Sequence, residues 1–157
     1  MRMRALAAAA AVSLAWPALG VAQEEGGQAG VGAYVGTPFG FTAKYLFDRS
    51  TAVDFALGEQ GGSLDVHFDG LIHFRDLPKQ PPAGKLAPYI GMGLKIKNQD
   101  DTLVGIRFVG GAAYLIKDTP LEAFAEIAPV LRAMPSWGSN LDGGVGLRYY
   151  FGLSKRK

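Results

Sequence analysis

From residue 30 onward the chain alternates apolar and polar positions one by one, and turn residues cut the alternation into eight stretches. They cover residues 30–36, 39–48, 51–58, 63–74, 86–97, 102–116, 121–131 and 140–151. Between them lie Thr37-Pro38, Arg49-Ser50, and residues 59–62, 76–85 with three prolines, 98–101, 117–120 and 134–139. Glycine supplies positive φ, proline fixes φ, and Asn and Asp tolerate tight turns. Strict period-two alternation marks strands whose two faces meet different surroundings. Eight such strands with short connections predict an up-and-down meander that closes on itself.

Residues 63–74 show the register most clearly. Leu64, Val66, Phe68, Ile72 and Phe74 share one face, while Ser63, Asp65, His67, Asp69 and His73 share the other. In 39–48, Phe39, Phe41, Ala43, Tyr45 and Phe47 oppose Gly40, Thr42 and Lys44. In 86–97, Leu86, Ile90, Met92, Leu94 and Ile96 oppose Tyr89, Gly91, Gly93, Lys95 and Lys97. The last stretch sets Leu141, Val145, Leu147, Tyr149 and Phe151 against Asp142, Gly144, Gly146 and Arg148, with Tyr150 on the polar side. Pro129 cannot donate to a ladder, so a bulge or an early strand end is expected there.

Alternation alone is symmetric. A soluble carrier has its apolar face inside, and a membrane barrel has it outside. Glycine breaks the tie. The polar face carries Gly32, Gly36, Gly40, Gly58, Gly91, Gly93, Gly105, Gly111, Gly144 and Gly146, against Gly70, Gly110 and Gly143 on the apolar face. A solvated face gains nothing from glycines that weaken strands. The cramped interior of a small barrel needs them, because long side chains must fold over small neighbours.

Charge agrees with that choice. The polar face holds Lys44, Lys95, Lys97, Arg107 and Arg148 against Asp54, Asp65, Asp69, Glu122, Glu126 and Asp142, with His67 among them. Five against six is near the balance that a closed, ion-paired interior requires, since an unpaired charge there is costly. The outward aromatics Tyr45, Phe47, Phe74, Tyr114, Tyr149 and Phe151 then gather at one rim as a lipid-facing girdle. Phe39, Phe41 and Trp137 fall towards the opposite rim.

Composition adds an address. Arg2 and Arg4 precede a short apolar run from Leu6 to Trp16, with small residues at Gly20 and Ala22. This is the layout of a cleaved export signal, 1–22, with cleavage after Ala22. The run is short for a helix that needs about 20 residues to span a bilayer. Removing those two arginines lowers Lys plus Arg from 16 to 14, equal to the 14 Asp plus Glu. A net charge near zero gives no basis for nucleic-acid binding. Cysteine is absent, so neither disulfides nor thiolate metal sites contribute. The expected division is 1–22 signal, 23–29 N-terminal segment, 30–151 barrel and 152–157 basic tail.

These strands, glycines and aromatics resemble the small eight-stranded outer-membrane barrels, the group that contains the OmpA membrane domain and OmpX. Gly146, Tyr149 and Phe151 match the Gly-x-x-apolar-x-apolar core of the signal read by the barrel-assembly machinery. Val145 departs from that signal's polar preference, and a basic tail continues past Phe151. The resemblance implies an all-β transmembrane barrel in a Gram-negative outer membrane. It implies contact with outer-membrane lipid and lipopolysaccharide, with the assembly machinery during insertion, and a monomeric state.

Ser63, Asp65, His67, Asp69 and His73 are the one concentration of catalytic residue types. His67 and Asp65 stand about 6.6 Å apart on one strand face, so any triad needs cross-strand partners. Some small outer-membrane barrels modify lipid A with His, Ser and an acid, but the adjacent His-Ser pair of the deacylases is missing here. A metal could draw on the same residues, yet no ligand spacing specifies one. The expectation is a structural, membrane-integrity role with a plugged lumen, no catalysis, no metal and no cofactor. The alternatives are a narrow channel or small-solute barrel, and a lipid A-modifying enzyme built on Ser63, Asp65 and His67. Short loops at 37–38, 59–62, 98–101 and 134–139 leave little surface for a protein receptor.

Overall fold

The computed structural model describes residues 26–76 and 79–152. The export signal, its cleavage point after Ala22 and the tail from residue 153 lie outside the described residues. The strands are β1 (Gln28–Gly36), β2 (Phe39–Leu46), β3 (Thr51–Gln60), β4 (Ser63–His73), β5 (Gly84–Lys97), β6 (Leu103–Ile116), β7 (Leu121–Met134) and β8 (Gly138–Gly152). Each pairs antiparallel with its neighbour in the chain, and β1 pairs with β8, so the sheet closes into a barrel. The up-and-down barrel expected from the alternation is the observed fold.

The connections are tight for stated reasons. Gly61 and Gly62, both at positive φ (61° and 80°), form a two-residue turn between β3 and β4, the geometry that suits the twist of paired strands. Asp48 closes the β2–β3 turn by accepting hydrogen bonds from the Ser50 and Thr51 amides at 2.6 and 2.8 Å. β1 begins two residues before the alternating pattern does, because Gln28 pairs with both Leu46 and Gly152.

Register fixes how the barrel is staggered. Following paired residues from Gly30 leads through Lys44, Asp54, Asp69, Gly93, Arg107 and Val130 to Asn140. Gly30's own partner on β8 is Tyr150, so one circuit displaces the chain by ten residues, from Asn140 to Tyr150. A stagger of this kind tilts the strands and sets the barrel's width. It also places Lys44, Asp54, Asp69 and Arg107 on one climbing row.

Pro129 behaves otherwise than expected. β7 runs through it to Met134, and Pro129 pairs with Leu141 on β8. Towards β6 the pairing lapses between Arg107–Val130 and Gly110–Ile127, yet the register on either side is unchanged. The missing donor costs local bonds without bending the strand out of register, since β8 still holds it. The register shift falls instead at Val104/Gly105, beside Arg132 and Met134 at the strand end.

Both faces of the wall follow the glycine argument. A Cβ at Gly32, Gly40 or Gly58 would run into backbone of the neighbouring strand, whereas Gly110 has nothing within 4 Å and Gly70 only the Met92 carbonyl at 3.8 Å. Gly143, also outward, is closer to its neighbour, with the Glu126 carbonyl at 2.8 Å. Outside, Phe41 is 75% exposed, Met92 60% and Leu94 57%. Inside, Arg107 and Lys95 are 0% exposed. Charge is in the middle and apolar surface is outside.

Candidate functional site: the ionic lumen

Several long inward side chains lie over a small residue on the next strand. Gly93 stands between Asp69 and Arg107 in the paired row, and a Cβ there would strike the Asp69 carboxylate. The Asp69–Arg107 pair therefore reaches across β5 because β5 has no side chain at that point. The rings of Tyr150, Tyr89 and Phe124 occupy the space above their paired residues Gly30, Gly111 and Gly146 in the same way.

Three cations each join two carboxylates, at successive heights in the barrel. Nearest the rim formed by the turns at 37–38, 61–62, 98–102 and 135–137, Lys95 binds Asp65 at 2.8 Å and also Asp142, and donates to Gln60 at 3.0 Å. In the middle, Arg107 bridges Asp69 and Glu126, the latter at 2.6 Å. Glu126 also accepts from the Tyr34 hydroxyl at 3.1 Å and the Tyr89 hydroxyl at 2.8 Å. Towards the terminal rim, where β1 begins and β8 ends, Arg148 bridges Asp54 at 2.5 Å and Glu122 at 3.0 Å.

The lowest cluster is the most completely bonded. Lys44 adds a second cation to Glu122 at 3.2 Å, and the Tyr150 hydroxyl donates to Glu122 at 3.0 Å. Thr42 accepts from Arg148 at 2.7 Å and donates to Asp54 at 3.2 Å. The Arg148 guanidinium lies 3.7 Å from the centre of the Phe124 ring, a desolvated cation–π contact. Leu46, Leu71, Leu115, Phe124 and Val109 are buried as well. Each of the three cations ties its own strand to one neighbouring strand and to one that is not a neighbour.

Lys44, Asp54, Asp65, His67, Asp69, Lys95, Arg107, Glu122, Glu126, Asp142 and Arg148 are all buried in the lumen. Lys97 differs from the expectation for it. It stands opposite Asp65 in register but is only half-buried and makes none of these ion pairs. It is the last residue of β5, at the mouth of the barrel. Tyr34, Tyr89, Tyr150 and Thr42 belong to the network although sequence reasoning assigned them no part in it. Their parity with the charged positions was the available signal.

The catalytic candidates are not brought together. Ser63 is half-buried at the start of β4, four residues from His67, or about 13 Å along the strand. Asp65 is taken up by Lys95. His67 lies 3.8 Å from Asp69 and meets the Tyr34 ring edge-on, with centroids 5.9 Å apart. Among the described residues no group of three His, Cys, Asp or Glu is arranged to hold a metal ion.

The girdle candidates lie at the terminal rim. Tyr45 packs on Phe47 with centroids 5.1 Å apart, and Tyr149 on Phe151 at 4.9 Å. Phe74 and Tyr114 are half-buried at the ends of β4 and β6. On the opposite rim Trp137 is 83% exposed. Gly146 faces inward under Phe124, while Tyr149 and Phe151 face outward on the same strand.

Fold and lumen together define a closed eight-stranded antiparallel barrel with an ion-paired core and an apolar exterior. The fold is similar to the crystal structure of the N-terminal β-barrel domain of OprF from Pseudomonas aeruginosa. The TM-score is 0.60 at 16% identity, covering 80% of this chain and 98% of that one. No protein-family model matches the chain, and no curated protein sequence does. The likeness is one of architecture, as the sequence resemblance to the OmpA-type barrels implied.

Proposed function

We propose that the protein is exported to the outer membrane of a Gram-negative bacterium, spans it with its eight strands, and serves membrane integrity as a plugged monomeric barrel. The observation that carries this reading is the inversion of polarity: charged side chains are buried and ion-paired inside while Ile90, Met92, Leu94 and Ile106 are exposed outside. In water such an exterior is an aggregation liability far larger than a soluble monomer tolerates. Against lipid it is the required surface. The aromatic pairs at the terminal rim fit a membrane interface. On this reading that rim faces the periplasm, the strand end Gly146–Phe151 serves the assembly machinery, and the wall contacts outer-membrane lipid and lipopolysaccharide.

Cell fractionation with gel migration before and after boiling tests the proposal. The expected result is a membrane-extracted protein that migrates faster unboiled. A protein soluble in the periplasm with identical migration would contradict it. The plugged lumen predicts no steady single-channel conductance. Without a Ser63–His67 contact, lipid A from cells carrying His67→Ala is expected to match that from wild-type cells by mass spectrometry.

A further inference from the structure

Arg132 stands between two glycines at the turn rim, paired with Gly105 on β6 and with Gly138 on β8. On β7 residues 132–134 span a single step of β6, from Gly105 to Val104, so Ala133 is the extra residue of a bulge. A bulge re-aims the side chains beside it. The guanidinium lies over Gly138, where a Cβ would run into Nη2. Its Nε donates to the Ser136 carbonyl at 2.9 Å, the one bond that the group makes among the described residues. The edge formed by Nη1 and Nη2 is thereby held as a fork of donors.

Arg132 lines a cavity of about 280 Å³ between the 98–102 and 135–137 turns, which stand side by side because β6 and β7 are neighbours. Gln99, Asp100, Asp101, Leu103 and Pro135 complete the lining. That volume is close to the lower end of small-ligand sites, about 300 Å³. One cation and two carboxylates thus share a cavity without pairing among the described residues. A guanidinium fork grips phosphate through two parallel N–H bonds, and carboxylates accept from an ammonium. An oxyanion alone is repelled by Asp100 and Asp101, and an ammonium alone by Arg132. A ligand that carries both charges satisfies the whole lining.

The position suits a headgroup. Trp137, in the same turn as Pro135, is 83% exposed, and Met134 beside it is 51% exposed. The cavity therefore adjoins apolar and aromatic surface of the kind that meets a membrane interface. Resting on the membrane reading, we propose that it binds a phosphoethanolamine group carried by a lipid of the adjoining leaflet. The phosphate sits on Arg132 and the ammonium on Asp100 and Asp101.

Native mass spectrometry of the full-length protein in mild detergent, titrated with phosphatidylethanolamine, phosphatidylglycerol or phosphatidylcholine, tests the proposal. Phosphatidylglycerol lacks the ammonium, and the quaternary ammonium of phosphatidylcholine has no N–H to donate. Wild type is expected to retain phosphatidylethanolamine about tenfold better than either, the scale of one or two charge-assisted bonds. Asp100→Asn/Asp101→Asn, in an exposed turn, is expected to abolish that preference with heat-modifiable migration unchanged. Arg132→Gln is expected to weaken retention of phosphatidylethanolamine by a similar factor. Equal retention of the three lipids by wild type, or an undiminished preference in the aspartate variant, would overturn the site. Displacement of the lipid by free phosphoethanolamine at the same concentration would overturn the lipid source. Loss of heat-modifiable migration in wild type would instead overturn the membrane reading, and is scored on the same sample.

Discussion

Arg148 stands directly opposite Glu122 in the β7–β8 ladder and binds it at 3.0 Å, while its other terminal nitrogen reaches Asp54 on β3 at 2.5 Å. One guanidinium therefore ties β8 to its neighbour and to a strand across the lumen. Removing one partner of a buried pair leaves the others charged and unsolvated, which costs about 3–5 kcal/mol. Arg148→Met is expected to lose that much in urea unfolding from lipid vesicles. Adding Asp54→Asn is expected to recover a large part of it, because the stranded carboxylate goes too while Lys44 still pairs with Glu122. A single variant within about 1 kcal/mol of wild type would show that these pairs do not hold the wall.

Glycines on the two faces are expected to respond with opposite sign. At Gly58 a Cβ would meet the Phe39 carbonyl group and the Gly40 Cα, and at Gly110 it meets nothing within 4 Å. Gly58→Ala should cost about 1–3 kcal/mol through forced backbone shifts. Gly110→Ala should be neutral, or stabilising by up to about 1 kcal/mol through a stiffer unfolded chain. Paired unfolding curves of the two variants decide it.

The lipid face gives a depth-dependent prediction. Leu94 is 57% exposed within β5, and Trp137 is 83% exposed at the turn rim. Leu94→Arg should cost about 2–4 kcal/mol in vesicles and Trp137→Arg no more than about 1 kcal/mol. In a soluble barrel neither arginine would matter, so equal and small effects would count against lipid contact.

Asp48 gives a pH dependence outside the wall. Three hydrogen bonds, from the Thr51 hydroxyl and the Ser50 and Thr51 amides, hold its carboxyl below the ordinary range. A carboxyl more acidic in the folded chain than in the unfolded one stabilises the fold above the unfolded value of about 3.9 and ceases to do so as pH falls through the folded value. The stability gap between wild type and Asp48→Ala is therefore expected to stay constant from about pH 8 to 5 and to narrow below about pH 4. A gap that is flat through acid would leave the turn bonds without energetic weight.

Most of the wall was legible because side-chain direction in a strand has a period of two, so Phe68 and Asp69 could be sorted without knowing their neighbours. Strand ends were less so. Gln28 extends β1 through its pairing to Gly152, a contact that local sequence does not carry. Pro129 misled because its missing donor was weighed without β8, which holds the strand through Leu141. The partners inside the lumen were not legible at all. Lys44 faces Asp54 in register yet bonds Glu122 on β7, an outcome of stagger and barrel width. The buried leucines Leu46, Leu71 and Leu115 sit at the same parity as the charges, where alternation marks a face but not what occupies it.

The central claim is that apolar side chains face lipid and charged ones face inward. Through-space NMR transfer from lipid acyl protons to side-chain methyls tests it most directly. The account predicts transfer to Ile90, Leu94, Ile106 and Leu131, which are exposed, and none to Leu46, Leu71, Leu115 and Val130, which are buried. Transfer to the second set, or contact of the first set with water alone, would contradict it.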